Sequence, residues 1–159
     1  MSQISACLNK VKKPCYRFIS TQEISSEKFK NKDKMLRSFL IPVCFWMAKK
    51  VKKNNTMIVG LSGGQGTGKT TISSIIKIIL EKYFKLNVFK ISIDDFYKTR
   101  KERIILSKKV HPLLKTRGVP GTHDIDMMLN LFRKVRANKL KSLSLPKFDK
   151  SIDDRLSKN

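Results

Sequence analysis

The sequence predicts an α/β fold of the P-loop NTPase kind, a parallel sheet flanked by helices, present here as its N-terminal portion. Three observations predict it. Gly63-Gly64-Gln65-Gly66-Thr67-Gly68-Lys69-Thr70 fits G-x-x-x-x-G-K-[ST] at every constrained position. Thr56 to Ser62, just before it, is a short and mostly apolar run of the kind that forms a buried strand. Just after it, Ile72, Ile75, Ile76, Ile79, Leu80 and Tyr83 recur at the spacing of one helix face. Strand, glycine loop and helix, in that order, is the context in which such a loop binds phosphate.

The elements follow in order. Residues 1–26 are polar, Ser- and Lys-rich and weakly patterned, and read as a loose arm. Residues 27–55 read as a helical extension of two pieces, with Pro42 in the first turn of the second and Lys49-Lys50 suiting its C-terminal dipole. Residues 56–159 read as the P-loop domain, left incomplete. In it, Asn87 to Ile93 is a second strand ending in Asp94-Asp95, and Thr99 caps a helix from Arg100 to about Lys109. Pro112 and the run Thr116 to His123 form a loop. Asp124 caps a helix whose apolar face carries Ile125, Met128, Leu129 and Phe132. Ser142 to Leu145 reads as a further strand, ended by Pro146.

Two strands joined through a helix imply a right-handed βαβ unit, whose ligands bind at the carboxyl ends of the strands. The glycine loop and Asp94 are therefore expected to face one site. Backbone N–H groups from Gly63 to Gly68, and the start of the following helix through Thr71, suit phosphate oxygens. Lys69 suits the β- and γ-phosphates of ATP, and Thr70 suits Mg²⁺. Asp94 suits a second Mg²⁺ contact or the base that takes a proton from an attacking hydroxyl, with Asp95 as fallback. Arg117 and His123, in a Gly- and Pro-rich loop, suit an anionic or hydroxylated acceptor, or simply solvent.

Composition constrains the rest. The chain has 159 residues, 40% of them hydrophobic, which favours one globular domain. Lys and Arg number 35 against 12 acids, a net charge of +23 that attracts polyanions. The excess is spread along the chain without an RNA-binding aromatic motif, so nucleic acid is not the expected partner. Cys7, Cys15 and Cys44 have no zinc or redox spacing, and a reduced, cytoplasmic chain is expected. The acid-free, basic first twenty residues also fit an organellar transit peptide. The apolar run from Phe39 to Ala48 is too short to span a bilayer and is expected to pack on the core, so no membrane partner is expected.

Four ordered blocks resemble the D-glycerate 3-kinase family and its bacterial relatives, within the wider group of uridine kinase, phosphoribulokinase and pantothenate kinase. They are Gly60 to Thr71; Ser92 to Tyr97; His111 to Leu114 with Arg117 to Asp124; and Leu145 to Ser151 with Asp153 to Arg155. The resemblance implies transfer of the γ-phosphate of ATP, with Mg²⁺, to a hydroxyl of a small metabolite, D-glycerate or similar. It implies Asp94 as catalytic base beside Lys69, and acceptor contacts from Asp95, Tyr97, Arg117, His123, Asp124 and Arg155. Where the family often has Pro-Arg before an aromatic residue, this chain has Pro146-Lys147-Phe148, without the bidentate fork. Family members continue further, so the chain reads as a truncated form. That implies a separate C-terminal half or self-association. The alternatives are an inactive kinase fragment and a basic nucleic-acid-binding P-loop protein.

Overall fold

The computed structural model describes residues 2–52, 55–137 and 144–156. It divides into two compact units, Met1–Lys90 and Ile91–Asn159.

The first unit is helical. Helix α1 (Gln3–Ser20) opens on Ser2, whose side chain accepts the Ser5 N–H. The loose arm expected for residues 1–26 is therefore corrected to an 18-residue helix over most of that length. Cys7, Leu8, Val11, Cys15 and Ile19 form a buried stripe at helical spacing. Counting cysteine as a small apolar residue reveals this stripe, which the Lys- and Ser-rich composition hides. Pro14 sits inside the helix and costs about 3 kcal/mol. Burying Leu8, Val11 and Ile19 contributes roughly 1.5–3 kcal/mol each, so packing wins.

Helix α2 (Lys32–Met35), a π-helical turn (Leu36–Leu40) and helix α3 (Ile41–Lys50) run on without a break. The wide turn has a local cause. Pro42 brings no N–H and its ring crowds the carbonyl four residues back. The Ile41 N–H reaches one residue further than in an α-helix, to the Leu36 carbonyl. Leu40, Ile41, Cys44 and Met47 face the core, as expected of the apolar run. Phe39, Val43 and Trp46 face outward. Helix α4 (Lys69–Lys82) completes the core with Ile75, Ile79 and Leu80, members of the expected stripe. Phe45 packs edge-on against Phe84, which meets Tyr83 in the same way.

The expected parallel sheet is not formed among the described residues. Residues 55–62 and 87–92 carry no ladder, and Ile58, Val59, Leu61 and Phe89 are exposed. A strand has no hydrogen bonds of its own: without a neighbour on either side, an apolar run has the right residues and nothing to bond.

In the second unit a 3₁₀ turn (Ile93–Phe96) carries Asp94 and Asp95, in place of a strand end. Helix α5 (Arg100–Lys109) starts at Thr99 with a capping box to Glu102. A 3₁₀ turn (Pro112–Lys115) interrupts the expected loop, with the His111 ring accepting the Leu113 N–H. Helix α6 (Ile125–Arg136) is capped by Asp124 as expected. Its inward stripe is rotated from the expected one. Leu131 is buried, Met128, Phe132 and Val135 are half-buried, and Ile125 and Leu129 are exposed. Strands β1 (Phe148–Asp149) and β2 (Asp154–Arg155) form a short antiparallel pair. Of the strand expected at Ser142 to Leu145, residues 142 and 143 lie outside the described residues, and 144 and 145 are not in a strand. No described helix is long and apolar enough to cross a membrane.

Candidate functional site

In the first unit, the glycine loop turns on two residues with positive φ, Gly66 at 78° and Gly68 at 77°. A side chain at either would be strained, which explains glycine there. Gly68 is the N-cap of α4 and supplies no side chain to the helix's first N–H groups. Those groups, with the positive end of the helix dipole, remain available to an anion. Lys69 opens the helix and folds back over the loop, its Nζ donating to the carbonyls of Gly63 (2.7 Å) and Gly64 (2.5 Å). Thr67 Oγ1 donates to the Gly64 carbonyl at 2.9 Å. Gln65 lies exposed at the tip, and Thr70 and Thr71 occupy the first turn of α4. The donor set is amides, one ammonium and a hydroxyl, which fits a polyphosphate with a hard divalent cation.

In the second unit, residues 96–98 pair with 122–124. Lys98 N–H donates to the Thr122 carbonyl (2.8 Å), and Asp124 N–H to the Phe96 carbonyl (2.7 Å). Tyr97 and His123 are thus directly opposite as a non-hydrogen-bonded pair, where side chains approach most closely. Their rings stack at 4.1 Å, and Phe148 meets Tyr97 edge-on at 5.3 Å. His123 Nε2 is buried and has no partner among the described residues. An unpaired buried nitrogen is costly, and among the described residues this is the one buried side-chain polar atom without a partner.

The two carboxylates of the acid pair have different work. Asp95 is committed to the fold: it accepts the Ser92 N–H at 2.9 Å and the Phe148 N–H at 3.3 Å. Asp95, named for an acceptor contact, here staples the backbone on either side of it. Asp94 makes an exposed ion pair with Lys150 at 2.6 Å and remains accessible. Burial and the Asp94 charge push the Tyr97 hydroxyl above its usual range.

Asp124 and Arg155 also turn inward. Arg155 donates through Nε and Nη2 to the Tyr97 carbonyl (3.1 and 2.7 Å), and through Nη2 to Asp124 (3.3 Å). Both side chains hold the Tyr97–His123 bridge in place. Arg117 is half-exposed and held by one nitrogen, Nη1, 2.5 Å from Asp153. Its guanidinium lies over the Phe148 ring at 5.9 Å.

Three residues were given no site role from the sequence: Arg103, and Asp153 and Lys150, which entered only as members of the last block. Arg103 is fully buried. It donates to the carbonyls of Lys98 (3.2 Å), Lys115 (2.8 Å) and Asp153 (2.6 Å), and to the Asp153 carboxylate (3.0 Å). Burial raises the Asp153 pKa, but the Arg117 and Arg103 guanidiniums outweigh it and hold the carboxyl below the usual carboxylate range. Nothing in a row of cations between Lys98 and Lys109 singles out Arg103. Asp153 does carry a signal: its φ of 53° is one that Asp tolerates better than most residues, as in turns.

Comparison with known proteins agrees with the phosphate-loop chemistry. The chain is 38% identical over 96 residues to an uncharacterized kinase, mug58, of Schizosaccharomyces pombe, covering 59% of this chain and 34% of the relative. It is 35% identical over 103 residues to a probable ATP-dependent kinase, TDA10, of Saccharomyces cerevisiae, covering 60% and 36%. It is 30% identical over 107 residues to a putative uridine kinase, C227.14, of Schizosaccharomyces pombe, covering 65% and 44%. The chain thus spans well under half the length of these relatives. Kinship with kinases of this group implies a P-loop NTPase fold; the structure is α-rich, with one two-stranded sheet among the described residues, and is consistent with a partial domain. No family model matches the chain. No solved structure matches it.

Proposed function

We propose that this chain serves ATP-dependent phosphoryl transfer to a hydroxyl of a small metabolite, with D-glycerate the first acceptor to test. The observation that carries the reading is the glycine loop: Gly66 and Gly68 at positive φ, an uncapped start to α4, and Lys69 folded over the loop carbonyls. Phosphate oxygens offer Lys69 a stronger, charge-assisted partner than a neutral carbonyl. ATP would be held by the amides of Gly63 to Gly68 and by Lys69, with Thr70 available to Mg²⁺. Bound Mg²⁺ supplies neutralisation of phosphate charge.

On the acceptor side, Asp94 is the accessible carboxylate of the acid pair and takes the proton of the attacking hydroxyl. Lys150 holds it in place through their ion pair. His123 Nε2 supplies a hydrogen bond to a hydroxyl or carboxylate of the acceptor, and Arg117 a cation for its carboxylate. The naming of kinases among the relatives supports the reaction class. The choice of glycerate rests on the four blocks read in the sequence.

The test is acceptor-dependent ADP formation by the purified chain, with glycerate, uridine and pantothenate in parallel. The expected result is turnover with glycerate that Asp94→Ala abolishes. Full activity in that variant would remove Asp94 from the chemistry, and turnover with uridine alone would replace the acceptor.

A further inference from the structure

The run from Phe39 to Ala48 was expected to pack on the core, and only half of it does. Phe39 is 61% exposed, Val43 39% and Trp46 53%, while Leu40, Ile41, Cys44 and Met47 on the opposite face are buried. The three exposed residues recur at i, i+4 and i+7, so they form one outward stripe along the π turn and α3. A helix that is apolar on both faces normally has a cover on each.

The charge around the stripe indicates the cover. Lys34, Lys49, Lys50 and Lys52 are exposed beside it or at its ends. Between Lys34 and Leu80 the sequence has no acidic residue at all. A second copy of this chain would bring two strongly basic faces together, which repulsion opposes. A nucleic acid would satisfy the lysines, but Val43, at the middle of the stripe, is no stacking platform for bases. An anionic lipid surface satisfies both: the acyl boundary takes Phe39, Val43 and Trp46, and the headgroups take the lysines. We propose that the outward face of α3 docks on anionic membrane surfaces. Such a helix lies in the interface and needs no membrane span, so the shortness of the apolar run is no obstacle.

Trp46 is the chain's single tryptophan and therefore reports this face directly. The experiment mixes the full chain with vesicles of phosphatidylcholine alone and of phosphatidylcholine with 30 mol% phosphatidylserine, reading Trp46 emission and co-sedimentation. The expected result is a blue shift and about tenfold tighter binding to the anionic vesicles, weakened by salt. Phe39→Ser with Val43→Ser, both exposed and so harmless to the core, should abolish the blue shift. Lys49→Glu with Lys50→Glu should remove the preference for anionic lipid, with circular dichroism confirming the fold of both variants. Equal binding to the two vesicles, no blue shift, or a blue shift that follows protein concentration without lipid would overturn the proposal. So would loss of RNA binding in the Phe39→Ser, Val43→Ser variant with its vesicle binding unchanged.

Discussion

Arg103→Met should loosen the second unit as a whole. The substitution keeps much of the side chain's length while removing every donor. It leaves the carbonyls of Lys98, Lys115 and Asp153 without that partner, and Asp153 with Arg117 alone. Hydrogen bonds to a charged group contribute about 1.5–3 kcal/mol each, and breaking a buried ion pair costs about 3–5 kcal/mol. The Asp153 side chain is 38% exposed and turns partly to solvent, which favours the low end, about 3 kcal/mol. That is a large fraction of a typical domain's 5–15 kcal/mol. The assay is hydrogen exchange read by peptide. At about 1.4 kcal/mol per decade, exchange of the Lys98 and Asp124 amides should rise by roughly a hundredfold, while peptides from α4 keep their rates. Arg103→Lys should recover little, since one ammonium cannot reach three separated acceptors. Exchange within about threefold of the parent, or acceleration equal in α4, would refute the reasoning.

Further predictions follow from single contacts. Asp95→Ala removes a cap and should destabilise the chain by about 1 kcal/mol in urea unfolding, whereas Asp94→Ala, losing one exposed ion pair, should move stability little and turnover greatly. Asp153 has a lowered folded-state pKa, so on acidification the unfolded chain takes the proton first. Its stabilising contribution is full above about pH 4 and fades as the pH falls through the lower folded value, so Asp153→Asn should flatten the acid side of a stability profile. Burial pushes the thiols of Cys7 to about 11 and of Cys15 and Cys44 to about 12, so none should react with a thiol reagent at pH 8 until the chain unfolds. Rapid labelling of the folded chain would contradict the packing of α1 on α3.

What could be read from the sequence was local. The loop pattern, the α4 stripe, Thr99 and Asp124 as caps, and Pro42 in the first turn of α3 each depend on residues within one or two turns of each other. The two expected strands carry no ladder among the described residues, because composition shows that a segment suits a sheet, not that a partner strand is there. Helix α1 was missed because two cysteines and a proline broke the familiar apolar pattern. In the second unit, the Tyr97–His123 pair and the clamp of Arg103 and Asp153 link residues far apart in the chain. Neither has a sequence period. The resemblance named Tyr97, His123, Asp124 and Arg155 together, and the structure places them beside one another; that Asp95 spends its oxygens on backbone amides while Asp94 stays half-exposed is a matter of local geometry that residue type does not show.

The central claim is that Gly63 to Thr71 holds a nucleotide. Thermal unfolding of the parent chain and of Lys69→Ala, each with and without Mg-ATP, tests it most directly. A ligand specific to the folded state stabilises it by about 2.7 kcal/mol at a hundredfold excess over Kd. The account predicts a raised Tm in the parent that Lys69→Ala loses. No shift in the parent, or an equal shift in both chains, would contradict it.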